Sequence, residues 1–195
     1  MLSKIGDNLK SATGAILILL FVGALAGTWL ISGIIPAMIY YGLKIINPSL
    51  FLPSCIFISA IVSISTGSSW STSATIGIAM IGIGKALGID PAIVAGAVIS
   101  GSYFGDKLSP LSDTTNLAAA MSGSNLFDHI KYMLYTTLPS IILTIIFFFI
   151  LGFNLDISDS KDSTDIIKNI EQTFNINYLL FIVPILIIYL IIKKT

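Results

Sequence analysis

Two carboxylates and a group of hydroxyls stand close together in residues 101–116 of an otherwise apolar chain. Asp106 and Asp113 are seven residues apart, with Lys107 between them. Carboxylate, hydroxyl and amide oxygens are hard ligands that suit Na⁺ or H⁺ better than a transition metal, which prefers thiolate or imidazole. The stretch therefore predicts a site for Na⁺ and H⁺ at the two carboxylates. The neutral oxygens that would complete it belong to Ser109, Ser112, Thr114, Thr115 and Asn116.

Competition between the two ions would follow from the pair of carboxylates. Two carboxylates in a medium of low dielectric constant repel each other, which favours protonation of one of them. A proton and a sodium ion would then compete for the same oxygens, with Asp113 as the first choice for the titrating ligand and Lys107 neutralising one of the pair. In the structural alternative, Asp113 only caps a helix and Asp106 only pairs with Lys107. A charge within a membrane costs about 2.5 to 3.5 kcal/mol or more, which favours the functional role.

A second polar stretch, residues 66–73, carries six hydroxyls around one tryptophan and no charge. Small hydroxylated residues in membranes also serve close helix packing, which is the alternative here. The clustering favours a second wall of the same site, with Trp70 as a lid or packing anchor. The residues assigned to this wall are Gly67, Ser68, Ser69, Trp70 and Thr72.

The composition places both stretches inside a membrane protein. The 195 residues are 55% hydrophobic and only 10% charged, with a mean hydropathy of +0.95 and no net charge. Soluble domains carry about 25% charged residues. The neutral balance gives no indication of a nucleic-acid partner. We expect a multi-pass protein of the plasma (inner) membrane that has no cofactor, with the lipid bilayer, Na⁺ and H⁺ as its partners.

The apolar segments predict an all-α polytopic bundle with discontinuous helices, forming one membrane domain over residues 1–195. A polar loop at 154–176 is expected on the outside, because Lys4, Lys10, Lys131, Lys193 and Lys194 mark the cytoplasmic side. Segments 50–88 and 91–122 are either re-entrant hairpins from the inside or interrupted crossings. Half-helices of about 14 to 16 residues are short for a span of about 20, which favours hairpins. The predicted helices are 11–27, 34–46, 50–65, 74–87, 91–104, 112–121, 129–152 and 177–192.

Several other residues have simpler interpretations. Asp90 precedes a proline and is expected to cap a helix. Cys55 is expected to be a packed thiol. His129 lies between Asp128 and Lys131 in the sequence and is expected to be a surface residue. The pairs Gly84 and Gly88, and Gly101 and Gly105, are expected to be helix contacts.

Four motifs resemble the NhaC family of bacterial Na⁺/H⁺ antiporters. They are GTW (27–29), SGIIPAMIYYG (32–42), GSSW (67–70) and AGAVISGSYFGDKLSPLSDTTN (95–116). The resemblance spans roughly residues 20–150. It implies a secondary transporter with inverted repeats, whose charged signature falls on Asp106, Lys107 and Asp113. Family members are more than twice this long, so the chain is expected to be one part of such a transporter, working with the missing half or with a second copy.

Three alternatives to Na⁺/H⁺ antiport stay open. The family also resembles malate/lactate exchangers, in which free helix N–H groups would bind the organic anion. The short length is compatible with a remnant that transports nothing. An intramembrane aspartyl protease would need two carboxylates sharing a proton across a water, and two residues flanking one break fit that poorly. The main reading is a transporter, not an enzyme.

Overall fold

A computed structural model describes residues 13, 17, 20, 21, 23–25, 27–155 and 161–193. Within those ranges all regular structure is helical, which confirms the all-α prediction. The predicted helix 11–27 is described only in part, and Lys4, Lys10 and Lys194 lie outside the described residues. The helices are α1 (Ile34–Ile45), α2 (Phe51–Thr66), α3 (Ser69–Ala86), α4 (Pro91–Leu108), α5 (Asp113–Ser122), α6 (Leu126–Asn154), α7 (Lys161–Thr173) and α8 (Ile182–Lys193).

Two described helices are long and apolar enough to cross a membrane. They are Leu126–Asn154 and the run Pro48–Thr66, in which a 3₁₀ turn leads into α2. A third span is obtained if the helical segment Gly23–Ile31 and α1, which meet at 71°, count as one. The chain is therefore a membrane protein with a helical bundle.

The helices beside the polar stretches are longer than the sequence predicts. Helix α3 begins at Ser69 instead of 74, and α4 continues to Leu108 instead of 104. The early start of α3 is possible because Ser68 caps the helix: its Oγ accepts a hydrogen bond from Ser71 N at 3.3 Å. The breaks shrink to residues 67–68 and 109–112, and α2, α3 and α4 contain 16, 18 and 18 residues.

Close contacts fix the directions of the helices. Along α2 and α4, Gly101 lies against Ile56 and Gly105 against Ala60, so these two helices run parallel. Helix α6 runs the opposite way, because Gly152 near its end lies beside Ser49. Helix α3 also runs opposite to α2, since Gly84 lies against Phe51 and Val94.

The bundle thus has two distinct ends. We call one the turn end; it contains the links 46–50 and 87–90 and the last residues of α6. We call the other the break end; it contains the links 67–68 and 109–112 and the first turns of α6, with Lys131. The prediction that the hairpins enter from the side of Lys131 is therefore wrong, because residues 50, 88 and 91 lie at the opposite end of the bundle. A single interrupted crossing over 50–88 is wrong as well, because the chain folds back at Gly67 and both ends of that segment lie at the turn end.

Glycine contacts hold the centre of this bundle together. A Cβ atom on Gly101 or Gly105 would overlap a backbone carbonyl of α2, which confirms the predicted helix contact. Gly84 is likewise packed, but Gly88 has a φ of +75° and ends α3 instead of packing along it. Cys55 is fully buried, as predicted.

The polar segment between α6 and α8 contains a further helix. Residues 154–176, expected as a loop, include α7, whose isoleucines recur on one face of an otherwise polar sequence. Helix α7 packs beside α1, where Tyr40 donates a hydrogen bond to Glu171 at 2.6 Å. The segment is therefore tied to the turn end of the bundle.

Candidate functional site

The two polar breaks touch each other at the break end. Helix α2 ends at Gly67, whose φ of +67° is a left-handed conformation that suits glycine. A Cβ atom here would lie 2.6 Å from the carbonyl carbon of Leu111 in the other break. Ser109 donates a hydrogen bond to the carbonyl of Ile64 at 2.7 Å. The structure thus brings together the two stretches that the sequence assigned to one site.

Asp106 lies at the junction of these breaks. Its side chain is only 8% exposed. Ser69, from the first turn of α3, donates a hydrogen bond to its Oδ2 at 2.8 Å. Its Oδ1 is buried and has no hydrogen-bond partner among the described residues. Leaving a buried charged group short of partners is expensive, so this oxygen is available to a cation or a proton.

Lys107 does not pair with Asp106. Among the described residues the one ion pair within 4 Å joins Lys44 and Glu171, on the other side of the bundle. The Lys107 ammonium instead lies 4.7 Å from the centre of the Tyr103 ring. The structural alternative for Asp106, a simple pair with its neighbour, is therefore not observed.

Asp113 does not cap its helix either. The N-cap of α5 is Ser112, whose Oγ accepts a hydrogen bond from Thr115 N at 3.4 Å. Asp113 is the first residue of the helix, is exposed, and accepts a hydrogen bond from Thr114 N at 2.8 Å. A carboxylate in the first turn is favoured by the helix dipole but stays accessible to ions. Asp90, in contrast, is the predicted cap, bonded to Ala92 N at 2.7 Å.

A pocket of about 540 Å³ opens between α3, α4, α5 and α6 at this junction. Its volume would hold several water molecules beside an ion. Asp106, Lys107 and Asp113 are among the residues that line it. Eight residues predicted for the site line the pocket: Ser68, Ser69, Trp70, Asp106, Lys107, Asp113, Thr114 and Thr115.

The other five predicted residues support the breaks from behind. Thr72 bonds to the carbonyl of Ser68 at 2.8 Å, and Asn116 donates to the carbonyls of Pro110 and Ser112 at 2.8 and 2.7 Å. These side chains add hydrogen bonds to backbone carbonyls in and beside the two breaks. The five residues behind the pocket are Gly67, Thr72, Ser109, Ser112 and Asn116.

Some pocket residues were missed by sequence reasoning. His129, expected at the surface, lines the pocket from the first turn of α6, and Tyr103 and Met133 line it too. The signal for Tyr103 was its place one turn before Lys107 on the same helix. Trp70 lines the pocket but is 70% exposed, so it is not a packing anchor within the described part of the chain.

Comparison with known proteins connects this site to a transporter family. The model of the Na⁺/H⁺ antiporter family matches residues 101–195, beginning at the charged stretch. No solved structure matches the chain.

Three curated relatives match almost the whole chain. The Na⁺/H⁺ antiporter NhaC of Alkalihalophilus pseudofirmus is 45% identical over 188 residues, which are 96% of this chain and 41% of that protein. An uncharacterized Na⁺/H⁺ antiporter of Haemophilus influenzae is 46% identical over 96% of this chain and 41% of its own. A malate-2H⁺/Na⁺-lactate antiporter of Bacillus subtilis is 46% identical over 98% and 42%. The chain spans about two fifths of the length of these relatives, and it belongs to the Na⁺/H⁺ antiporter family, alongside relatives of the NhaC type.

Proposed function

We propose that this chain supplies an ion-binding part of a secondary transporter that exchanges Na⁺ for H⁺ across the plasma membrane. The observation that carries the proposal is the buried carboxylate of Asp106, one oxygen of which has no hydrogen-bond partner among the described residues. It lies where the non-helical links 67–68 and 109–112 meet. Helix breaks in membrane proteins need burial or a water-filled cavity, and transporters use them to hold ions. The NhaC relatives support Na⁺ and H⁺ as the two ions.

In this proposal Asp106 is the inner ligand and Asp113 the outer one. Asp106 is buried and held by Ser69, whereas Asp113 is exposed at the mouth of the same pocket. Sequence reasoning ranked Asp113 first; we propose the opposite order, because Asp106 is buried and Asp113 is exposed. A sodium ion entering the pocket would displace the proton from the inner carboxyl group, so that one site binds either ion but not both.

The test is Na⁺-driven proton movement in inverted membrane vesicles, with the chain expressed in its native gene context. We expect Asp106→Asn to abolish exchange, because the amide neither binds a proton nor carries the charge that attracts Na⁺. Asp113→Asn should weaken exchange by raising the Na⁺ concentration that gives the half-maximal rate. Asp128→Asn removes a carboxylate that does not line the pocket and serves as the matched control. Exchange at the unmodified rate in Asp106→Asn would refute the assignment.

The remaining partners of the chain are proposals too. Since it spans about two fifths of its relatives, we propose that the pocket is completed by a second half of the transporter or by a second copy. Purified chain in liposomes that exchanges Na⁺ for H⁺ by itself as a monomer would contradict this. A chain that binds no Na⁺ in any context would instead be the non-transporting remnant.

A carboxylate exchanger is the second candidate. Lys107 gives the pocket an ammonium beside its carboxylates, and the malate-2H⁺/Na⁺-lactate antiporter is as similar to this chain as the Na⁺/H⁺ antiporters are. If the transporter is a carboxylate exchanger, malate or lactate added to the vesicle assay should either inhibit proton movement or be required for it. A transporter of Na⁺ and H⁺ alone should not respond to either anion. Neither candidate is an enzyme, and hydrolysis of a membrane peptide by purified protein would be needed to revive the protease alternative.

A further inference from the structure

A second cavity, of about 410 Å³, lies between α4 and α6. Tyr103 and Lys107 line both the pocket and this cavity, which we call the groove, so the two adjoin. No acidic residue of the described part of the chain lines the groove. Its polar lining comes instead from Lys107 and from hydroxyls of both helices. The hydroxyl side chains belong to Ser100, Tyr103, Thr136, Thr137, Ser140 and Thr144.

The pocket and the groove follow one side of α6. Their lining residues on this helix recur every three or four positions and include His129, Met133, Thr137, Ser140 and Thr144. That spacing keeps side chains on one side of a helix. At a rise of about 1.5 Å per residue, the distance from His129 to Thr144 is about 22 Å. The hydrocarbon core of a bilayer is about 30 Å thick, so the lined side of α6 extends deep into the membrane.

Close packing ends the groove on the side away from the pocket. Phe148 lies one turn beyond Thr144 on α6 and is only 8% exposed. A Cβ atom on Gly96 of α4 would lie 3.5 Å from Phe148 Cζ, so the two helices are in contact at this level. The groove therefore extends from the pocket to about the middle of α6.

Lys107 gives the strongest reason to place water in these cavities. Its ammonium lies 4.7 Å from the centre of the Tyr103 ring and has no ion-pair partner among the described residues. The face of an aromatic ring replaces only part of the hydration of an ammonium. A lysine charge that is neither paired nor hydrated is costly within a membrane. Water must therefore reach the wall that the pocket and the groove share.

The hydroxyls of the groove are suited to hold water or a cation. Thr137 and Thr144 donate hydrogen bonds to the carbonyls of Met133 and Ser140 at 2.8 and 2.9 Å. Such bonds also allow threonine to face lipid, which is the structural alternative. The lone pairs that remain can accept a hydrogen bond from water or bind Na⁺. Because Ser100 of α4 lines the same cavity, lipid would have to cover polar groups of two helices at once, which favours water.

We propose that the groove is filled with water and carries Na⁺ and H⁺ between the pocket and the middle of the membrane. The ammonium of Lys107 does not bar cations, because with Asp106 and Asp113 ionised the three charges sum to minus one. The pocket lies at the break end, so the groove forms the part of the route that leads toward the opposite side. This role rests on the proposed exchange of Na⁺ for H⁺.

The first test measures water in the groove by cysteine modification. The variants Ser140→Cys and Thr144→Cys place a thiol in the groove, and Leu143→Cys is the matched control on the same helix. Leu143 is 68% exposed but does not line the groove, so it is expected to face lipid. The reagent is a membrane-impermeant trimethylammonium methanethiosulfonate, added to inverted vesicles with the chain expressed in its native gene context. Native Cys55 is fully buried and gives the background.

We expect both groove variants to react at least about tenfold faster than Leu143→Cys, because the thiolate is the reacting form and apolar surroundings suppress it. Equal, slow reaction at all three positions would overturn the proposal, since the groove would then be covered by lipid or by another part of the transporter. Equal, fast reaction would overturn it too, because the whole side of α6 would then be in water.

The second test asks whether ions use the groove. Exchange is measured in each variant before and after the reaction. We expect the bulky cationic adduct at Ser140→Cys to remove most of the exchange, and the same reagent to leave exchange in Leu143→Cys and in the unsubstituted chain unchanged. Methyl methanethiosulfonate, which adds only a small neutral group, should inhibit Ser140→Cys less.

The two proposals fail separately. If Ser140→Cys reacts fully but keeps its rate of exchange, the groove is not the route of the ions, and antiport stands. If the unsubstituted protein exchanges no protons, antiport is refuted, and faster reaction at Ser140→Cys than at Leu143→Cys still supports a water-filled groove.

Discussion

At the residue scale, the sequence indicated which polar residues lie together but not which carboxylate is buried. Two carboxylates in an apolar chain are costly enough to indicate function wherever they lie in the fold. Which one is buried depends on contacts far apart in sequence, such as the bond from Ser69 to Asp106, 37 residues away. His129 was assigned to the surface because charged residues flank it in the sequence, yet it lines the pocket.

The hydrogen bond from Ser69 to Asp106 leads to a prediction about Na⁺ affinity. Ser69→Ala removes the side-chain donor that the structure gives to the Asp106 carboxylate, so the charged form loses stabilisation and protons compete better with Na⁺. A hydrogen bond to a charged group contributes about 1.5 to 3 kcal/mol. We expect the Na⁺ concentration for half-maximal exchange to rise about tenfold or more, with the larger increase at acidic pH.

Two other serine or threonine variants control this experiment. Ser69→Thr keeps a hydroxyl and should retain much of the Na⁺ affinity. Ser65→Ala removes a hydroxyl that bonds only to the carbonyl of Ile61 within its own helix, and it should leave exchange unchanged. A Na⁺ dependence in Ser69→Ala equal to that of Ser65→Ala would argue against a role for Ser69.

At the element scale, the sequence predicted helices α1 to α8 except α7, but it misplaced several of their ends. The hydroxyl-rich residues 69–73 were assigned to a long break, although Ser68 caps α3 and these residues form its first turns. Gly105 was assigned to the second break as a residue that permits a turn. It stays helical because the parallel packing of α4 on α2 has no room for a side chain there.

That close packing predicts the effect of a single added methyl group. In Gly105→Ala the new Cβ would lie 2.8 Å from Ser63 Cβ and would overlap the carbonyl of Ala60. Overpacking of this kind costs about 1 to 3 kcal/mol. We expect a lower midpoint of thermal unfolding in detergent, together with weaker Na⁺ binding, because Asp106 is the next residue on the helix.

Gly96→Ala, also on α4, is the matched control for that variant. Its new Cβ would lie 3.5 Å from Phe148 Cζ, an ordinary van der Waals contact. The unfolding midpoint should stay close to that of the unmodified chain. Equal midpoints for the two alanine variants would show that α2 and α4 are not packed as described.

At the scale of the whole molecule, the arrangement of helices decides which ends face the same side. The hydropathy of the sequence predicts membrane spans but not their directions. For segments 50–88 and 91–122, either hairpins or interrupted crossings would bring Lys131 to the cytoplasmic side, so the sequence did not distinguish them. The structure settles the directions through contacts: α2 and α4 run parallel, and α3 and α6 run against them. The pocket therefore lies at the end where α6 begins, beside Lys131, and the link between α3 and α4 lies at the opposite end.

This arrangement makes a topological prediction that cysteine labelling can test in oriented vesicles. The positions are Ser124 at the break end, and Ala92 and Asn169 at the turn end, all three exposed. We expect a membrane-impermeant maleimide to label Ala92→Cys and Asn169→Cys from one side and Ser124→Cys from the other, with Ser124 cytoplasmic because Lys131 follows it. Native Cys55 is fully buried and provides the background in the unsubstituted chain. Labelling of Ala92→Cys from the same side as Ser124→Cys would restore the hairpins that enter from the inside. It would also refute the antiparallel course of α4 and α6, on which the composition of the pocket depends.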